Sequence, residues 1–338
     1  MTTLRDHVIE RPEGRLHVHL AGDTGPPVLL LSGAGLDNAM LSWRHLIPDL
    51  ARDHRVIAPD WPKQGRSRPW NGRATHDVLL RTITDVLDDV GVERAAVVGL
   101  SLGGAMTLAY AIEHPDRVER LVALAPAGTL EFPPVAHQLL WLTAKVPLLH
   151  RTLPSLAFRN RTLVAAFARR SLFGGDAARI ADFDEIVDAV LAEARAGNAG
   201  SSDWQNDSIG FRRMRLDLRP RLPEIRCPAL FLQGDRDAGV PLARTAEAAA
   251  LVPGARLEVL PGRGHWSNRE SPDEVNALVR RFLAADEPAD LVPHRRRTVR
   301  FGGLRDRIRF DDADFDGLDP DVQRMFYGAE PGDDAASR

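Results

Sequence analysis

The run Gly99-Leu100-Ser101-Leu102-Gly103-Gly104 constrains the fold of this chain more than any other stretch. A strand-like segment, Ala95-Ala96-Val97-Val98, leads into it, and an apolar helix-like segment from Ala105 to Ile112 leads out. A serine held between a strand end and a helix start sits in a tight turn. The positions two before and two after it have no room for a side chain, which accounts for glycine at both. Such a turn lifts the hydroxyl clear of the backbone. It also aims the amides of the next residues at whatever the hydroxyl attacks.

The rest of the chain alternates apolar, β-branched runs with helix-period segments, which predicts a mostly parallel sheet covered on both faces. The expected strands are Leu16–Leu20, Val28–Ser32, Arg55–Ala58, Ala95–Leu100, Leu121–Ala125, Ala229–Gln233 and Arg256–Leu260. Core helices are expected over Thr75–Val90 with Gly91 as C-cap, over Ser101–Glu113 ahead of Pro115, and over Ser271–Ala285 with Pro272 in its first turn. The alternation stops between about Gly128 and Arg221, where no strand is legible and leucine, phenylalanine and Trp141 recur at helical spacing.

A net charge of −3 gives no general attraction to nucleic acid or to an anionic membrane. The single cysteine, Cys227, excludes an intramolecular disulfide and a cysteine-based metal cluster. Residues 1–10 carry Arg5, Asp6 and Glu10 and lack the apolar core of a signal peptide, so the expected location is cytoplasmic. After about Glu287 the chain turns into charge runs, Arg295-Arg296-Arg297 and Asp311-Asp312-Ala313-Asp314, with apolar residues scattered among them. This extension is expected to be partly disordered or to dock on a second subunit, so monomer and homodimer are both open.

The Ser101 segment closely resembles the nucleophile elbow of the α/β-hydrolase superfamily. The resemblance runs from about Leu16 to Ala285 in element order and implies a doubly wound, mostly parallel sheet of the eight-stranded type with a helical cap domain. On that pattern residues 1–127 and 222–286 form the core, 128–221 the cap, and 287–338 the extension. The superfamily's chain order is serine, acid, histidine. After the strand Ala229–Gln233, the loop Gly234-Asp235-Arg236-Asp237-Ala238-Gly239-Val240-Pro241 matches the Gly-x-x-Asp-x-x-x-Pro pattern and selects Asp237 as the acid, with Asp235 the alternative in the same loop. After Arg256–Leu260, the glycine-rich turn Pro261-Gly262-Arg263-Gly264-His265-Trp266 offers His265 as the general base. The oxyanion hole is expected from the backbone N–H groups of Leu102 and Ala34, the latter in Ser32-Gly33-Ala34-Gly35, where the superfamily usually has a leading histidine. Asp60 to Ser67 resembles the Asp-x-x-Gly-x-Gly-x-Ser turn, with Lys63 and Gln64 in place of glycine and histidine. Gly33, Gly35, Trp141 and Trp266 are expected substrate contacts.

The implied activity is a serine hydrolase that needs no cofactor and no metal and acts on a small, largely apolar ester, thioester or lactone through an acyl-enzyme. A narrower likeness to meta-cleavage-product hydrolases lies in His265-Trp266, Glu270, Asp273-Glu274-Val275-Asn276, Gly103-Gly104-Ala105 and Leu121 to Gly128. It implies cleavage of a carbon–carbon bond beside a ketone. Leu100 stands where that group often has asparagine. A carboxylate-bearing substrate would need a cation, and Arg151, Arg159, Arg161, Arg169 and Arg170 are the candidates in the cap. Acyl transfer, cyclisation, lyase chemistry and small-molecule reception occur on the same fold and stay open as alternatives.

Overall fold

The computed structural model describes residues 3–284 except Asp176, Ala199 and Gly200. The expectations for residues 287–338 lie outside the described residues. Eight strands form one sheet in the order β1-β2-β4-β3-β5-β6-β7-β8. They are β1 (Arg5–Arg11), β2 (Gly14–Ala21), β3 (Pro27–Leu31), β4 (Arg55–Pro59), β5 (Ala95–Leu100), β6 (Val118–Leu124), β7 (Ala229–Gly234) and β8 (Arg256–Leu260). β1 pairs antiparallel with β2, and β2 antiparallel with β4. Every other pairing is parallel.

The central strands are continuous apolar runs because helices cover both of their faces. All six residues of β5 are buried, as are all six of β7. One apolar cluster gathers Val28, Leu30, Val98, Leu100, Val122, Leu230 and the helix Pro272–Leu283 on one face. The other gathers Leu29, Leu31, Val97, Leu121, Phe231 and the helices His76–Asp89 and Leu102–Glu113 on the opposite face. Alternate residues of one strand fall into different clusters, as the two-residue strand period requires.

The helix His76–Asp89 begins where the Thr75 side chain accepts a hydrogen bond from the Val78 amide, and it ends at Val90 with Gly91 at φ 67° just beyond. Both ends follow the expected capping chemistry. β1 was not among the expected strands. Its only apolar residues are the adjacent Val8 and Ile9, flanked by charged and polar ones, and only Ile9 is buried, so an edge strand of this kind carries little apolar signal.

Between β6 and β7 no described residue belongs to a strand. Helices occupy Pro134–Lys145, Leu153–Ala157, Arg161–Phe167, Phe183–Glu193 and Asp203–Ser208, linked by wide turns. This insertion is tied to loops at the carboxyl ends of the strands. Trp266 N–H donates to the Leu172 carbonyl at 2.8 Å, Lys63 pairs with Asp203 at 2.7 Å, and Asn38 Nδ2 donates to Glu193 at 2.8 Å. No described helix is long and apolar enough to cross a membrane.

Candidate active site

Ser101 has φ 55° and ψ −111°, a backbone conformation rarely adopted by a residue with a side chain. Three backbone bonds hold it there. Its N–H donates to the Leu124 carbonyl at 2.9 Å, and its carbonyl accepts from Ala105 at 2.9 Å and Ala127 at 3.0 Å. The flanking glycines are required by contact. A Cβ on Gly99 would lie 2.2 Å from the Gly103 carbonyl oxygen, and one on Gly103 would lie 2.1 Å from that of Leu31. The turn therefore exists only because both positions lack side chains.

The Asp237 and His265 loops meet beside this turn. His265 Nδ1 lies 2.8 Å from Asp237 Oδ2, and the carboxyl is fully buried. Burial alone would raise the Asp237 carboxyl. The His265 ring and the Val240 and Gly239 amides outweigh that and hold its pKa below the usual value. Gln233, buried at the end of β7, donates to Asp237 Oδ2 at 3.0 Å and is itself held by the Thr245 hydroxyl at 2.6 Å. Asp235 faces elsewhere and accepts from the Gly262 amide at 2.6 Å. The alternative of the two loop aspartates is thereby a turn-stabilising group.

Ser101, His265, Trp266, Gly33, Ala34 and Gly35 line one cavity of about 440 Å³. In this conformation the Ser101 hydroxyl makes no hydrogen bond with the imidazole among the described residues, an arrangement that often tightens only when substrate is bound. Leu36, Leu149, Pro154, Phe158, Phe167 and Leu172 supply most of the apolar wall, and Thr143, His150, Ser201 and Gln205 the polar part. Trp141 is elsewhere; it packs edge-on against Phe211 with ring centres 4.9 Å apart. None of the five cap arginines lines this cavity. Arg161 pairs with Asp184 and Asp188, Arg169 covers the Phe183 ring, and Arg151 lines a smaller adjoining cavity that shares Gly35, His150 and Ser201.

The loop carrying Ala34 is braced from three sides. Gly33 lies close enough to Ser101 that a Cβ on it would be 3.6 Å from the serine Cβ. Its amide donates to Asp37 Oδ2 at 2.6 Å, and Asp37 also accepts from Ser42 Oγ at 2.5 Å and from the Asn38 amide at 2.8 Å. Burial raises the Asp37 carboxyl to about 6 against those hydrogen bonds. Gln64 Nε2 donates to the carbonyls of Gly33 and Gly35 at 3.2 and 3.4 Å, and Trp61 Nε1 to that of Ser32 at 2.9 Å. The Ala34 amide donates to no protein acceptor among the described residues. The Leu102 amide, at the first position of its helix, has no partner inside that helix.

Residues 26–272 match the family model described as alpha/beta hydrolase fold. The chain belongs to the α/β-hydrolase fold family. Within that family it is 31% identical to a 2-hydroxymuconate semialdehyde hydrolase of Pseudomonas sp. (strain CF600), over 81% of this chain and 92% of the relative. It is 29% identical to a 2-hydroxy-6-oxo-6-phenylhexa-2,4-dienoate hydrolase of Burkholderia cepacia, over 80% and 91%. Among solved structures it resembles the enol-lactonase of Burkholderia xenovorans LB400 with a TM-score of 0.62 and 26% identity, covering 82% of this chain and all of that one. This α/β hydrolase is therefore an enzyme of the hydrolase class.

Sequence reasoning missed the residues that hold the site rather than those that face substrate. Asp37, Gln233 and Gln64 are buried polar side chains with several backbone partners each. A polar residue inside or beside an apolar run was the available signal. Glu270 has a similar position: it accepts from Gly174, Gly175 and Gly264 amides at 3.1, 2.5 and 2.8 Å, tying the His265 turn to the insertion.

Proposed function

We propose that this α/β hydrolase cleaves a small, uncharged, largely apolar ester, thioester or lactone through an acyl-enzyme on Ser101. The Ser101 oxygen attacks the carbonyl carbon while His265 Nε2 takes its proton. Asp237 holds the opposite ring nitrogen as N–H and stabilises the imidazolium. The Leu102 and Ala34 amides receive the oxyanion. Collapse breaks the bond to the leaving oxygen or sulfur, which takes the proton from His265. Water, deprotonated by His265, then attacks the acyl carbon and releases acid and free Ser101. The insertion acts as a lid whose apolar wall receives the acyl group.

One observation carries the substrate half of this reading: the wall around Ser101 and His265 is built largely from Leu36, Leu149, Pro154, Phe158, Phe167 and Leu172 and holds neither arginine nor lysine. A carboxylate would lose hydration there without gaining an arginine or lysine partner. Steady-state hydrolysis of p-nitrophenyl esters of graded acyl length tests it. The expected profile rises from acetate to a medium-chain acyl group and is abolished in Ser101→Ala. A profile that is flat or absent would refute it.

A second reading is favoured by the relatives named for dienoate substrates, namely hydrolysis of a carbon–carbon bond beside a ketone at the same serine. Arg151, in the adjoining cavity, would then be the nearest guanidinium to the substrate carboxylate. A vinylogous 2-hydroxy-6-oxo-dienoate assayed beside the esters discriminates. Higher kcat/KM on the dienoate, lost in Arg151→Ala while ester turnover persists, would replace the first reading by the second.

A further inference from the structure

On the antiparallel edge of the sheet, far from Ser101 in topology, three ligand-type side chains converge. His17 and His19 are two residues apart on β2 and point to the same face. Asp6 on β1 is the register partner of His19, so its side chain shares that face. Asp6 Oδ1 lies 3.2 Å from His17 Nε2 and 3.6 Å from His19 Nδ1, and all three atoms fall within 4.8 Å of one another. Zinc–nitrogen and zinc–oxygen bonds of about 2.0 to 2.2 Å at tetrahedral angles put neighbouring ligand atoms about 3.4 Å apart. Two of the three edges already have that length. The two histidines must close together to complete the third.

A second observation points the same way. Both imidazoles are buried, at 2% and 5% exposure, yet both nitrogens of His17 and Nδ1 of His19 have no hydrogen-bond partner. Buried polar atoms are rarely left unpaired, and each needs an explanation. Behind the rings lies Asp60, whose Oδ2 is 3.8 Å from His17 Nδ1 and 3.7 Å from His19 Nε2. Metal-bound imidazoles ordinarily direct their second nitrogen at a carboxylate, which fixes ring orientation. Asp60 lies just beyond hydrogen-bond distance of both rings here, so a small closure of the rings would bring one buried carboxylate onto both second nitrogens. Arg66 Nη1 binds the other oxygen of Asp6 at 2.6 Å and leaves Oδ1 for the ion. Asp6 is half exposed, which provides the entry path.

We propose that Asp6, His17 and His19 bind a single divalent cation of the zinc class, with water as fourth ligand. The sequence reading expected no metal site. The role assigned to this ion is structural. It clamps the β1–β2 hairpin over Asp60, at the root of the loop whose Gln64 side chain braces Gly33 and Gly35.

The test uses the untagged full-length chain, stripped with a chelator and titrated with Zn²⁺ by calorimetry while thermal unfolding is followed. The wild type is expected to take up one Zn²⁺ per chain and to unfold at higher temperature when loaded. Asp6→Asn, at a half-exposed position, keeps the fold and is expected to weaken Zn²⁺ binding at least about tenfold and to lose most of the thermal shift. His19→Gln supplies the same readout from the buried side. Co²⁺ in place of Zn²⁺ should give the visible absorption of a four-coordinate nitrogen–oxygen site in the wild type and not in Asp6→Asn. Absence of stoichiometric Zn²⁺ binding, or binding of equal affinity in wild type and Asp6→Asn, would overturn the proposal.

Discussion

Every residue of β5 and every residue from Leu102 to Ile112 is buried, so the turn at Ser101 is gripped by core on both sides. The insertion that faces it is built differently. Its helix Pro134–Lys145 buries only His137 and Ala144, and Leu153–Ala157 buries nothing. The helix Phe183–Glu193, by contrast, buries Ile186, Val187 and Val190. The hydrolase thus places strain and hydrogen-bond precision where packing is densest, and leaves much of the cavity wall opposite Ser101 on loosely buried helices. A strained φ at Ser101 costs on the order of 1 to 3 kcal/mol and persists only where surrounding structure over-determines it.

The sharpest way to break that comparison is to remove the serine. Ser101→Ala is expected to lower ester turnover by at least about 1000-fold. His265→Ala should cost a similar factor and Asp237→Asn somewhat less, and combining them should add little because the three act as a unit. Burst kinetics and fluorophosphonate labelling provide the readout. Labelling of a serine other than Ser101 would place the chemistry elsewhere. The backbone part of the same claim is separable. Ser101→Gly should unfold at a higher temperature than Ser101→Ala, since glycine adopts φ 55° without strain.

Asp37 probes the gripped side one layer out. Its folded pKa of about 6 lies above the ordinary 3.8, so the native state binds the proton more tightly than the unfolded chain. Stability assigned to this group is therefore fully present below about pH 4 and declines as pH rises toward 6. The loss is about 3 kcal/mol by linkage, as an order of magnitude. Asp37→Asn should flatten that part of the stability–pH curve in urea unfolding. Its single acceptor oxygen cannot serve Gly33, Asn38 and Ser42 together, so the Ala34 loop should shift. A drop in kcat of up to about 100-fold is expected, with KM less affected. Unchanged kcat would show that Asp37 does not position that loop.

What could be read from the sequence divides along the same line. The Asp237–His265 pairing was reached through the resemblance of their two loops to the superfamily pattern. β5 and β8 fall on the boundaries expected for them, and Gly99 and Gly103 follow from a turn that only one backbone path satisfies. Those features are local, and each is enforced by a glycine or by an apolar run. β1 was missed because an edge strand exposes one face and part of the other. Trp141 was expected at the substrate and instead meets Phe211, because helical spacing of apolar residues does not say which neighbour a helix face will meet. The bracing by Asp37 and Gln64 depends on contacts to loops that no sequence period encodes.

On the insertion side, Phe158 and Phe167 pack with ring centres 5.1 Å apart and planes tilted by 58°, and both line the Ser101 cavity. Phe158→Ala enlarges that cavity from a half-buried position. It should therefore move the preferred ester toward longer acyl chains, changing the long-to-short ratio of kcat/KM by about tenfold. The melting temperature should fall far less than for a core phenylalanine, whose truncation costs about 3 to 5 kcal/mol. A large stability loss with no change in acyl preference would mean that the insertion is core and not lid.

The smallest effect is expected where the contrast is widest. Leu139 and Leu156 are 60% and 55% exposed on the insertion helices. Replacing either by serine removes little apolar contact, and exposed substitutions of this kind usually stay within about 0.5 kcal/mol. Urea midpoints and ester kcat should therefore match the wild type. Should Leu156→Ser instead lower stability by more than about 1 kcal/mol, that leucine must be covered in solution, by another part of the chain or by a second copy. Sedimentation of wild type and variant side by side would separate those cases, since only a second copy makes the mass depend on concentration.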